Sequence, residues 1–171
     1  MKCSVALALY NGEKFLLKQL DSLRLQTYPI DEVIMYDDGS YDSTFAIVHQ
    51  YCETYALSNW KIYKQKSNQG YIKNFKDALS LCQNDIIFLC DQDDIWELDK
   101  IQTCMDIFKQ NPNICCINTA YQLIDEHEQL LQKQTAKNKD AHIAFSDVLL
   151  KNVAMGCTMA LRQSILKQYL Q

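Results

Sequence analysis

Residues 86–90, Ile-Ile-Phe-Leu-Cys, are five apolar side chains in a row, and Asp91-Gln92-Asp93-Asp94 follows without a spacer. A strand with one wet face alternates apolar and polar residues. An unbroken apolar run needs cover on both faces, as in the middle of a parallel sheet with helices above and below. The run therefore predicts a central strand, with Phe88 well inside. Three carboxylates in four residues then fall at its carboxyl end. In open α/β sheets this is the edge where ligands bind.

The preceding residues repeat the same unit. Ser4–Leu9 is a short apolar run, Asn11 suits a helix N-cap, and Phe15, Leu16, Leu20 and Leu23 recur at helical spacing. Glu32–Tyr36 and Trp60–Lys64 read as strands. Helices follow, one from about Ser43 through Tyr55 and one carrying Ile72, Phe75, Leu79 and Cys82. A helix from about Trp96, with Leu98, Ile101, Met105 and Phe108, stops near Asn111-Pro112. Strands and helices in alternation predict a Rossmann-like α/β domain, its sheet mostly parallel with right-handed crossovers. Leu9–Asn11, Asp37–Asp38, Asn68–Gly70 and Asp91–Asp94 all fall at or beside the ligand edge. Of the 4 glycines, Gly12, Gly39 and Gly70 lie in these loops, and only Gly156 does not.

From 113 onward the pattern changes. Ile114–Ile124 reads as a strand, Asp125–Gln129 as a turn and Leu130-Leu131 as a return strand. Lys133–Ala141 reads as a polar loop, Ser146 as the cap of a short helix through Leu150, Ala154–Leu161 as a strand and Ser164–Leu170 as a helix. The expected division is a ligand-binding half, 1–112, and a smaller mixed or antiparallel portion, 113–171.

Composition narrows the function classes. A chain of 171 residues with 48% hydrophobic and 22% charged residues buries a real core, which excludes disorder. A net charge of −4 argues against nucleic acid as the partner. The 8 cysteines form no C-x-x-C pair and sit mostly in apolar runs, so buried free thiols of a reducing cytoplasm are expected. No apolar run approaches the roughly 18 residues of a membrane helix. Cys3–Leu9 resembles a short signal segment but leads straight into Asn11-Gly12-Glu13-Lys14, a strand running into a helix start.

Three carboxylates at 91, 93 and 94 repel one another unless a positive group sits among them. Hard cations such as Mg²⁺ take one or two protein carboxylates together with substrate phosphates. The expected reading is a divalent metal shared with a diphosphate, and the competing one is a solvated turn capping the next helix. Asp37-Asp38-Gly39-Ser40 can accept hydrogen bonds from a ribose or a base, or be an ordinary turn. The phosphate-loop, dinucleotide-fold, nucleophile-elbow and zinc-helix patterns are absent. His49, Asp125–Glu128 and the Lys133, Lys137 and Lys139 loop read as surface.

In order and spacing the chain resembles the inverting, GT-A-type glycosyltransferases of family 2. The resemblance rests on Val5–Gly12, Leu20–Leu23 with Gln26-Thr27, and Glu32–Ile34 leading to Asp37–Ser40 with Asp42–Thr44. It continues through Asn68–Gly70 with Lys73–Phe75, Asp85–Trp96, Lys100 and Met155–Ala160. It implies a nucleoside-diphosphate-sugar donor, UDP- or dTDP-linked, and Mg²⁺ or Mn²⁺. Ala8 and Tyr10 would line the nucleoside pocket, Asp38 or Asp37 would hold the base, and Lys73 would lie near the nucleotide with Asn68, Gly70 and Gln92. Asp91, Asp93 and Asp94 would be the metal ligands. Members resembling bacterial rhamnosyl- or glucosyltransferases suggest a saccharide or lipid-linked acceptor in surface polysaccharide synthesis. That places the chain in the cytoplasm, peripheral at the inner face of the membrane.

An inverting transfer needs a general base. The family usually keeps an Asp beyond the strand matching Gly156–Ala160, and no acidic residue follows Asp147. The base is therefore expected beyond residue 171, the chain reads as cut short, and Ile165, Leu166 and Leu170 would be left to self-associate. Two other functions compete. A nucleotidyltransferase would carry more glycine after the first strand. A non-catalytic nucleotide-sugar-binding or assembly subunit would keep the donor fold alone.

Overall fold

The computed structural model describes residues 1–131 and 156–169. The expected loop at 133–141, the short helix from Ser146, residues 154–155 and Leu170 lie outside the described residues. The elements run β1 (Cys3–Leu9), α1 (Leu16–Arg24), β2 (Glu32–Asp37), α2 (Thr44–Thr54), β3 (Trp60–Lys64), α3 (Tyr71–Leu81), β4 (Ile86–Asp91), α4 (Lys100–Gln110) and β5 (Cys116–Asn118). A 3₁₀ turn at Gly156–Thr158 then leads into β6 (Met159–Arg162) and α5 (Gln163–Tyr169).

One sheet of order β3-β2-β1-β4-β6-β5 holds all six strands. The pairings β1–β2, β2–β3 and β1–β4 are parallel, and β6 pairs antiparallel with both β4 and β5. The expected central strand is thus flanked by β1 and β6, and Phe88 has no exposed surface. Alternation sorts its side chains. Val5, Leu7, Val33, Met35, Ile86 and Phe88 pack with apolar residues of α1, α2 and α4 on one face. Ala6, Ile34 and Ile87 meet Ala78 of α3 and Leu161 on the other. Burying such side chains is worth about 1.5–3 kcal/mol each, which explains the placing of the helices.

Several local expectations are corrected. Helix α1 starts at Leu16, not after Asn11. Asn11 instead takes a left-handed conformation, φ 47°, and its Oδ1 accepts the Tyr41 N–H at 3.1 Å. Helix α4 starts at Lys100, because Trp96 is buried from a loop, its ring 6.0 Å from that of Phe88. Ile72 points outward at 71% exposure, leaving Asn74 and Ala78 as the buried positions of α3. The expected strand at 114–124 shrinks to Cys116–Asn118, and Cys115 and Cys116 are exposed. The 125–129 turn forms as read: the Asp125 N–H donates to Gln129 O at 2.9 Å, and Ile124 bridges Leu130.

Candidate active site

Three parallel strands end side by side at the carboxyl edge. Ala8 lies between Tyr36 of β2 and Asp91 of β4, and Leu9 stands beside Asp37. Residues from four loops converge there because the strands are in register.

The loop after β2 is built by its own carboxylates. Asp37 has no exposed surface. Its Oδ1 accepts the Ser40 N–H at 2.8 Å and the Ser40 hydroxyl at 2.6 Å, and its Oδ2 lies 3.5 Å from Lys64 Nζ. Asp38 is also buried, and its two oxygens accept the Gln69 and Gly70 N–H groups at 2.8 Å each. The Asn68 side chain adds a 3.0 Å bond to the Gly70 N–H. Directly after the two carboxylates, Gly39 holds φ +78°, and a Cβ there would press 3.0 Å against the Ser67 backbone, so the turn favours glycine.

Tyr10 stands at the rim, 39% exposed, edge-on to the exposed Tyr41 ring at 6.4 Å. Lys73 is exposed on the first turns of α3, where its ammonium pairs with Asp77 at 2.6 Å. Ala8 lies almost wholly below the surface.

Asp91 and Asp94 converge with Cys157: a carboxylate oxygen from each and the Sγ all lie within 4.8 Å of one another. The 3₁₀ turn at Gly156–Thr158, which leads into β6, packs against β4 and carries the sulfur to its end. Burial raises the Asp91 carboxyl to about 6, and the negative charges of Asp94 and Asp93 push it the same way. Burial also raises Asp94, with Asp93 adding to it, against the Cys157 thiol and Lys100. Burial and the Asp94 charge drive the Cys157 thiol up to about 12. The Lys100 ammonium lies 3.7 Å from the Trp96 ring centroid and donates to the Cys157 carbonyl at 3.3 Å, and burial lowers its pKa.

Two half-buried carboxylates whose charge is disfavoured by burial and by neighbouring carboxylates, with a sulfur beside them, suit a divalent cation. Asp93 is exposed and lies outside that converging set. It lines a neighbouring cleft of about 180 Å³ with Phe15, Lys18, Ile95 and the 124–128 turn. Glu126 and Glu128 of that turn pair with Lys14 and Lys18.

Cys157 and Lys100 had no site role in the sequence reading. No sequence signal marks Cys157, whose place follows from the packing of the 3₁₀ turn before β6 on β4. Lys100 entered the sequence reading only among the residues that carry the family resemblance, with no role assigned to it.

The family profile described as glycosyl transferase family 2 matches residues 4–170. An Escherichia coli protein named UDP-Glc:alpha-D-GlcNAc-diphosphoundecaprenol beta-1,3-glucosyltransferase WfgD is 26% identical over 167 residues, 97% of this chain and 62% of that protein. The crystal structure of S. aureus TarS 1-349 in complex with UDP-GlcNAc aligns with a TM-score of 0.79 at 22% identity, covering 99% of this chain and 47% of that one. The mannosyltransferase PcManGT from Pyrobaculum calidifontis, in complex with GDP-Man and Mn²⁺, aligns with a TM-score of 0.74 at 18% identity, covering 98% of this chain and 46% of that one. The chain spans about half the length, or less, of the first curated relatives it matches. The structural likenesses show the fold, which is GT-A.

Proposed function

The chain belongs to glycosyl transferase family 2, and from that premise we propose that its sheet edge binds a nucleoside-diphosphate sugar with Mg²⁺ or Mn²⁺ for an inverting transfer. The observation that carries the reading is the convergence of Asp91 and Asp94 at the end of the buried strand β4, beside Ala8 and the Asp37–Asp38 loop. The family match sets the nucleotidyltransferase alternative aside.

In this reading residues 1–112 form the donor half and residues 113–171 the acceptor side. Asp91 and Asp94 would hold the cation, with Asp93 at the exposed rim. A cation bound there supplies Lewis-acid stabilisation of the charge left on the diphosphate. The Tyr10 ring offers a face to the base. Asp38 fixes the Gln69–Gly70 backbone that borders the pocket, and Asp37 fixes the turn at Ser40. Lys73, held by Asp77, would lie near the nucleotide. Preorganised donors and acceptors of this kind lower the cost of charge development.

The acceptor is proposed to be a saccharide or a lipid-linked saccharide, as the name of the E. coli relative states for that protein. Work at the cytoplasmic face of a membrane follows from such an acceptor. Among the described residues no helix is long and apolar enough to cross a membrane.

A melting series tests the reading. Ligands that bind only the folded state raise its stability by about 2.7 kcal/mol at a hundredfold excess over Kd. UDP or dTDP with Mn²⁺ should raise the melting temperature beyond the shift given by Mn²⁺ with inorganic phosphate. No shift with any nucleoside diphosphate would contradict donor binding.

A further inference from the structure

We propose that Cys157 is a protein ligand of this metal site and biases it toward thiophilic and borderline ions, Zn²⁺ before Mg²⁺. The inference rests on the metal reading above and adds the sulfur and its selectivity.

The position of the sulfur is built into the fold. β6 pairs with β4 as far as Phe88 and Ala160, and the 3₁₀ turn just before β6 packs on β4, which brings Cys157 to Asp91 and Asp94. The turn that carries the cysteine is braced on several sides. Lys100 Nζ donates to the Cys157 carbonyl at 3.3 Å, the Thr119 N–H donates to Thr158 O at 3.0 Å, and the Thr158 hydroxyl bonds Asn118. Cys157 is only 9% exposed, so its Sγ faces the two carboxylates rather than solvent. The three donor atoms come from segments 66 residues apart in sequence (157 less 91) and still lie within 4.8 Å of one another.

The chemistry follows from the donor set. Mg²⁺ takes oxygen ligands almost exclusively, whereas thiolate sulfur favours softer ions. Two carboxylates and one thiolate leave coordination positions open, the pattern of sites that also bind a substrate. As the metal–sulfur bond forms, the thiol S–H bond breaks and its proton passes to the buffer. No oxidant or reductant is needed.

The test is metal titration of the purified chain in a Cys115→Ser, Cys116→Ser background, which removes the two exposed thiols. Co²⁺ should give a sulfur-to-cobalt charge-transfer absorption in the near ultraviolet, lost in Cys157→Ser. Cys157→Ser should weaken Zn²⁺ binding by at least about tenfold and leave Mg²⁺ binding within about twofold. Cys157→Asp should reverse the preference toward Mg²⁺. Co²⁺ binding that depends on Asp91 but lacks the sulfur absorption would overturn the role of Cys157 and leave the carboxylate site standing. An unchanged Zn²⁺ to Mg²⁺ ratio in Cys157→Ser would do the same. Failure of every ion to bind the parent chain would overturn the metal reading itself. The absorption is read on the parent chain, so the test does not depend on the variants folding.

Discussion

Tyr10 and Gln92, 82 positions apart, exchange two hydrogen bonds: the Tyr10 N–H donates to Gln92 Oε1, and Gln92 Nε2 donates to the Tyr10 carbonyl, each at 2.8 Å. The amide side chain extends the β1–β4 pairing beyond the last backbone partner and fixes the loop that presents the Tyr10 ring. Gly12 lies beneath it, and a Cβ there would stand 2.3 Å from Gln92 Oε1.

A double-mutant cycle follows from that contact. Gln92→Ala loses two partly exposed hydrogen bonds, about 0.5–1.5 kcal/mol each. Gly12→Ala forces the amide out and costs about 1–3 kcal/mol. In the double variant the clash is gone, so the two effects fall short of additive by on the order of 1 kcal/mol. Denaturant unfolding measures all four proteins, and strict additivity would contradict the close approach.

Asp38→Asn leaves one acceptor oxygen where two backbone N–H groups now bond. One of the Gln69 and Gly70 N–H groups then faces an NH₂, at a cost of about 1–3 kcal/mol. Nucleotide affinity should fall with stability, because the same loop borders the pocket. Paired unfolding and binding measurements check both, and unchanged stability would show that the loop holds without the carboxylate.

Glu32 gives the chain a pH signature away from the site. Burial works to raise its carboxyl. The Gln83 N–H at 3.0 Å, the Ser4 hydroxyl at 2.7 Å and the Lys61 ammonium at 3.1 Å outweigh it, and the group titrates below its ordinary 4.5. A carboxyl lowered by folding stabilises above its unfolded value and loses that stabilisation as pH falls through the folded one. Glu32→Gln should therefore be the less stable protein near about pH 7, and the two unfolding curves should draw together toward about pH 3. A constant gap across that range would contradict the network.

Strands β1 and β4 were legible because their side chains are so nearly all apolar. Ile86–Cys90 could only be a covered strand, and it fixed the ligand edge with Asp91 at its end. Helix starts were less legible. Trp96 and Leu98 fit a helical period with Ile101, yet Trp96 is buried from a loop against Phe88, and Leu98 is 52% exposed. Asn11 has the chemistry of a cap but is spent on Tyr41. Cys157 was not legible at all, since a lone cysteine after a glycine says nothing until the 3₁₀ turn that carries it packs on β4 beside Asp91.

Crowded carboxylates predict a trade between function and stability. Burial, and then the charges of Asp94 and Asp93, oppose the charge of Asp91 in the absence of a cation. Asp91→Asn should raise stability in EDTA by on the order of 1 kcal/mol while removing a metal ligand. Denaturant unfolding in EDTA reads the gain. A less stable variant would mean that the carboxylate is held by contacts that favour its charge.

The central claim is that Asp91 and Asp94 bind a diphosphate through a shared divalent ion. Calorimetric titration of UDP into the chain, once with Mn²⁺ and once with EDTA, tests it most directly. Binding with Mn²⁺ that weakens by at least about tenfold in EDTA is the predicted result. Equal affinity in the two buffers would contradict it.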